Sequence, residues 1–194
     1  NIFLKDLNNN SFFSSSSMVF SNFISRIIIF ETIPIKLSGI LFACFSLGSI
    51  PGSIFNNTFG PYFVKNKINL FSFKIFILFL SILFGSLFLL FNKNQIIFFF
   101  PYLISFTLES LFLSLIGSLF MISGLYYRQL LLFKSIFYIK RIFNLDILNS
   151  AVYIIIVSFV ALNAELIYFP YIFLIFSIYN FIIFFSSFNY SKVK

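Results

Sequence analysis

Between Ile96 and Tyr127 the chain runs thirty-two residues with one charged group, Glu109, and no Asn, Gln or Lys. About 20 apolar residues cross a ~30 Å hydrocarbon core, so this run is long enough with residues to spare. Two more runs behave alike: Phe71–Phe91 is charged only at Lys74, and Ile147–Phe185 only at Glu165. A soluble core needs no such runs. They predict an all-α integral membrane protein, because a helix satisfies its own backbone in lipid and an open sheet edge does not.

Composition agrees, with 9% charged residues against about 25% in ordinary globular domains. Thirty-five Phe beside abundant Ile, Asn and Lys, with few Gly and Pro, is a skew towards AT-rich codons. It points to an organellar genome, and no removable leader is expected. A single cysteine, Cys44, and no histidine exclude a disulfide framework, imidazole haem ligation, Ser-His-Asp catalysis and the common zinc sites. No cofactor is expected on this chain. The net charge of +8 sits between apolar runs, which is how topology signals look, so nucleic acid is not an expected partner.

The pattern divides one membrane domain, 1–194, into a polar N-terminal segment over 1–17 and a transmembrane bundle over 37–187. Spans are expected near 37–55, 71–91, 97–127, 148–166 and 170–187, with a sixth possible at the N-terminus. Pro34 ends the apolar stretch Met18–Phe30, and Pro170 separates the last two helices. Gly48-Ser49-Ile50-Pro51-Gly52 lies inside a span. Proline there removes a donor and clashes with the preceding turn, so a broken helix is expected at Gly48, Pro51 and Gly52. Residues 128–146 alternate apolar and basic side chains, which predicts an amphipathic arm along the surface. In it Arg128, Lys134, Lys140 and Arg141 act as topology anchors among phospholipid headgroups. With five spans, eight basic residues (Lys65, Lys67, Arg128, Lys134, Lys140, Arg141, Lys192, Lys194) face four (Lys5, Arg26, Lys36, Lys93). The richer side is expected to be the matrix or cytoplasmic one, and an N-terminal span would move Lys5 onto it.

Intramembrane acids and bases usually face a bundle interior or a wet path. Glu109, Lys74 and Lys65 are therefore the proton-path candidates. A neutral or paired Glu109 that only fixes packing is the alternative, and Lys74, near the start of its span, can also snorkel. Counting from the turn Asn92–Gln95 offsets Lys74 from Glu109 by roughly 10 Å, which favours a partner for Glu109 from elsewhere. No phosphate cradle or covalent-catalysis arrangement is visible, so the chemistry expected is transport or scaffolding.

Three elements carry a family resemblance. Phe45-Ser46-Leu47-Gly48-Ser49-Ile50-Pro51 resembles the Ser-Leu-Gly-Gly-Leu/Ile-Pro element of the antiporter-like membrane subunits of respiratory complex I, chain 2 of NADH–ubiquinone oxidoreductase above all. Gly124-Leu125-Tyr126-Tyr127-Arg128 is similar to that family's Gly-Leu-Tyr-Tyr-x-x-Arg segment, and Tyr168-Phe169-Pro170 to its aromatic-Pro exit. Ser49 stands where the family has its second Gly. Phe59 stands where it has a Lys, Lys65 being the nearest base, and Arg128 falls two residues early. The resemblance implies a C-terminal piece of a split antiporter-like subunit in the mitochondrial inner membrane. Other membrane subunits, including the missing half, would be its partners, and the Pro51 element would line a proton half-channel. A purely structural organelle-encoded subunit is the alternative. Subunit a of the rotary ATP synthase ranks lowest, because Arg26 and Arg128, its candidates for a rotor-facing arginine, both sit at helix ends.

Overall fold

A computed structural model describes residues 2–54, 85, 105–134, 136–163 and 165–193 of the chain. The expected span 71–91, the turn Asn92–Gln95, Phe59, Lys65 and Lys74 lie outside the described residues, as does the side chain of Lys134.

Five long helices account for nearly all that is described: α1 (Ile2–Thr32), α2 (Ile35–Ile54), α3 (Ser105–Lys134), α4 (Ile136–Asn163) and α5 (Tyr171–Val193). A single turn of 3₁₀ helix, Leu166–Tyr168, precedes α5, and no strand occurs among the described residues. Each helix is long and apolar enough to cross a membrane, over Phe12–Thr32, Ile35–Ile54, Phe106–Leu132, Ile139–Asn163 and Tyr171–Tyr190. Their outer faces suit lipid: Val19 is 72%, Phe159 68% and Leu162 85% exposed, an apolar surface that water would not tolerate on this scale.

Prolines punctuate the bundle. Pro34 has no amide hydrogen to continue α1, and its carbonyl instead accepts from Leu37 and Ser38 at 2.9 and 3.0 Å to open α2. Near Pro170, the carbonyls of Glu165, Leu166 and Phe169 accept from Tyr168, Phe169 and Ile172, so the backbone is satisfied across the corner.

Side-chain pairs give the helix directions. Ser14 and Ser17 of α1 meet Asp146 and Ser150 of α4, so these two run parallel. Gly117 faces Phe173 and Leu174 while Gly124 faces Asn180 and Phe181, an equal advance that makes α3 and α5 parallel. Gly48 lies on Ser114 and Gly52 on Met121, so α2 follows α3. Helices α2, α3 and α5 thus point one way, and α1 and α4 the other. One end carries Arg128, Lys140 and Arg141; the other carries Glu31, Lys36, Glu109 and Glu165. The basic end is the one expected to stay on the matrix or cytoplasmic side. Helix α1 brings Lys5 to it.

The core follows membrane rules, in which close packing replaces hydrophobic drive. Ile29, Ile33, Leu41, Phe45, Val157, Val160, Phe169, Ile172 and Phe173 form one cluster from α1, α2, α4 and α5, and the Phe45 and Phe173 rings stack at 5.7 Å. Leu131, Ile142 and Phe184 form a second cluster nearer the basic end.

Two expectations are corrected. The helix is not broken at Pro51: α2 continues through it to Ile54. Proline there costs one bond, to the carbonyl of Leu47. Its flanking glycines serve packing, since a Cβ on Gly48 would stand 2.7 Å from the Ser114 carbonyl oxygen and one on Gly52 3.0 Å from Met121 Cγ. Gly48 and Gly52 form a Gly-x-x-x-Gly contact. Second, there is no separate arm over 128–146: residues 128–134 finish α3 and 136–146 begin α4. The alternation lost its need for headgroups because Arg128 pairs with Asp146 instead. The polar N-terminal segment is helical over residues 2–17 as the start of α1, with Ser14 buried and Phe12, Phe13, Ser15 and Ser16 exposed.

Gly48→Ala is expected to lower the thermal stability of the detergent-solubilised protein by about 1–3 kcal/mol, as overpacking does. Gly39→Ala, with open space around its Cβ position, is expected to change it little. Circular dichroism melts of the two variants compare them directly, and equal melting would refute the close α2–α3 contact.

A candidate polar site between the helices

All five helices contribute to a partly open cavity of about 480 Å³. Its polar wall comes mainly from α4, where Asp146, Asn149, Ser150 and Tyr153 line it at helical spacing and so share one face. Helix α3 adds Met121, Leu125 and Arg128 at i, i+4 and i+7; α1 adds Ser21, Asn22 and Arg26; α2 adds Ser46, Ser49 and Ser53. Phe45, Phe173, Phe176 and Phe184 close the rest, with Asn180 of α5 among them.

An ion pair sits at the centre of this wall. Arg128 donates to both oxygens of Asp146, Nε to Oδ1 at 3.0 Å and Nη2 to Oδ2 at 2.7 Å. That fork geometry is the strongest arrangement open to these groups. Ser14 Oγ adds a third donor to Oδ2 at 3.2 Å, from α1. The pair therefore ties three helices at one point. Asp146 is 3% exposed, a burial that an ionised carboxylate withstands only when paired and hydrogen-bonded. Ser150 Oγ donates to the Asp146 backbone carbonyl at 3.0 Å, and Ser17 Oγ meets Ser150 Oγ at 3.3 Å.

A turn further along α4, Asn149 Nδ2 donates to Asn180 Oδ1 at 2.9 Å, and Asn180 Nδ2 in turn faces Met121 Sδ at 3.2 Å. This links α4, α5 and α3. Asn149 Oδ1 is buried without a partner. Arg26, exposed where α1 lines the cavity, lies over the Phe42 ring at 5.6 Å.

The residues singled out in the sequence fare differently. Glu109 does not enter the cavity; it lies near the described start of α3, half-buried, with the Tyr171 hydroxyl donating to its Oε1 at 3.4 Å. It thus has a hydrogen-bonding partner on a neighbouring helix, at the acidic end of the bundle. Gly48 and Gly52 form a packing surface against α3 and Pro51 is half-buried; of the three only Gly52 reaches the cavity wall. Arg128 is the inward partner of Asp146, not a headgroup contact. Lys140 is exposed at the basic end, and Arg141 lies over the Tyr190 ring at 5.2 Å.

Sequence reasoning missed Asp146, Asn149 and Asn180. The available signal was Asp146 alone among basic residues, with Asn149 three positions on; it was masked by reading 128–146 as interfacial. Among the described residues, no three His, Cys, Asp or Glu side chains gather where they could hold a metal ion. No family model, curated protein or solved structure matches the chain.

Breaking the ion pair one side at a time leaves an uncompensated buried charge. Asp146→Leu and Arg128→Met are each expected to destabilise the bundle by about 3–5 kcal/mol, and the double variant by clearly less than their sum. Melting curves of the four proteins in one detergent give the coupling. Additive losses would mean that the pair does not hold α3 to α4.

Proposed function

We propose that the chain is a membrane-arm subunit of a proton-translocating NADH:ubiquinone oxidoreductase in the mitochondrial inner membrane, a split-gene piece that contributes to or scaffolds a proton path. The observation that carries it is the Arg128–Asp146 pair within a polar cavity lined by membrane-length helices. Ionisable groups at such positions mark ion or proton routes, or the scaffolds around them. The three elements behind the family resemblance also support the reading by their packing. Gly48 seats on α3, Gly124 on α5, Arg128 carries the pair, and Phe169 and Pro170 are buried at the corner before α5. Partners would be the other membrane subunits, among them a polypeptide supplying the missing antiporter-like helices.

A purely structural subunit is the second reading. It is favoured by the continuous helix through Pro51, which removes the half-channel that a broken helix would have provided, and by the saturation of Asp146 with three donors.

Affinity purification of the chain from its native membrane in mild detergent, followed by mass spectrometry, is expected to recover membrane subunits of NADH:ubiquinone oxidoreductase. Recovery with ATP synthase, or with no respiratory subunit, would overturn the proposal. In the recovered assembly, Asp146→Asn is expected to reduce protons moved per NADH if the cavity conducts. Unchanged pumping with intact assembly would leave the scaffold role.

A further inference from the structure

The rim that α1 and α2 form around the cavity is polar, and one charge in it has no counter-charge. On α1, Met18, Asn22 and Arg26 line the cavity and are exposed; four residues apart, they share one face. Arg26 sits six residues inside the span that ends at Thr32. On α2, Gly39, Ala43, Ser46 and Ser53 are all exposed, with open space at the Gly39 Cβ position. Steps of four, three and seven are the spacing of a helix–helix seam. In a membrane, small residues on such a seam let another helix approach closely.

Arg26 needs a carboxylate that this chain does not hold. The sequence has five acids. Asp146 is committed to Arg128, and Glu109 accepts from Tyr171. Asp6 is roughly 30 Å back along α1, and Glu31, five residues on, lies roughly 140° round the helix. Glu165 is exposed at the corner before α5. Residues 55–104 contain no Asp or Glu. The Phe42 ring lies 5.6 Å from the guanidinium, but a ring face offsets less than a cation loses on leaving water. The side chain also leans towards the α1 N-terminus, away from the nearer membrane face.

Charge and seam meet at one level. The turn at Pro34 puts Arg26 beside Phe42, and its lean carries the guanidinium towards Ser46. Lipid tails offer neither a counter-charge nor close packing to this rim. An acidic membrane helix offers both.

We propose that the α1–α2 rim is a docking surface for one transmembrane helix of another subunit, packed on Gly39, Ala43, Ser46 and Ser53, with an Asp or Glu paired to Arg26. This rests on the reading of the chain as a subunit of a larger membrane assembly, and not on which assembly that is.

Photo-crosslinking in native membranes tests it. The full chain with Ser46→Cys in a Cys44→Ser background is labelled with a thiol-reactive benzophenone, irradiated and digested for mass spectrometry. The label is expected to link to an apolar helix of another polypeptide that carries Asp or Glu within its run. Arg26→Gln and Arg26→Glu are expected to cut the yield at least tenfold and Arg26→Lys to keep most of it. Replacing the partner's acid by Lys is expected to restore the yield with Arg26→Glu. Arg26 and Ser46 are exposed, and melting of the purified variants in detergent is expected to match that of the parent chain. Links to residues 55–104 of the same chain, to a second copy, to lipid alone or to a helix without a carboxylate would overturn the proposal, as would a yield indifferent to Arg26. An acidic partner helix from outside NADH:ubiquinone oxidoreductase would uphold it and overturn the assignment above. Recovery of oxidoreductase subunits with no link at Ser46 would do the reverse.

Discussion

Asp146 is the constraint on which the rest of the bundle turns. Hydrocarbon offers a carboxylate neither water nor counterion, so its partners must come from protein. They come from two other helices, Arg128 of α3 and Ser14 of α1. Those contacts fix α1 against α4 and close the α3–α4 hairpin. They also dictate that residues 128–146 enter the bundle instead of lying on its surface.

Close approach is the second condition. Where lipid tails are as apolar as Leu, helices gain most from contacts that small residues permit. Gly48 and Gly52 admit α3 to α2, and Gly117 and Gly124 admit α5 to α3. On α1 the serines do this work: Ser14, Ser21 and Ser25 are buried along one face. The polar cavity is what remains where α1 and α2 part above their shared turn, and side chains too polar for lipid line it.

Which parts of this were legible follows from the physics of each signal. Apolar runs are a direct statement about solvent, so the all-helical class and the spans of α3, α4 and α5 could be read from the sequence. The Ser-rich start of α1 could not, because its polarity is an interhelical surface and hydropathy cannot distinguish that from exposure to water. Its 14, 17, 21, 25 serine spacing was the signal to use. Pro51 was misread because a helix can continue through a proline at the loss of one bond, while Gly48 and Gly52 beside it have a separate purpose. Glu109 looked central because the run around it begins at Ile96; in the structure it lies on the first turns described for α3, next to Tyr171. Asp146 was overlooked as one acid among bases, yet in a membrane that pairing is the reason the segment can be buried.

The joint between α1 and α4 can be tested most directly by paired cysteines. Ser17 and Ser150 place their hydroxyl oxygens 3.3 Å apart, so Ser17→Cys with Ser150→Cys, in a Cys44→Ser background, is expected to form a disulfide in membranes under mild oxidation. The linked peptides can be identified by mass spectrometry after digestion. Ser16 is exposed on another face of α1, and Ser16→Cys with Ser150→Cys is expected to stay reduced. Failure of the first pair to link, or equal linking of both, would contradict an α1 anchored through the Asp146 site.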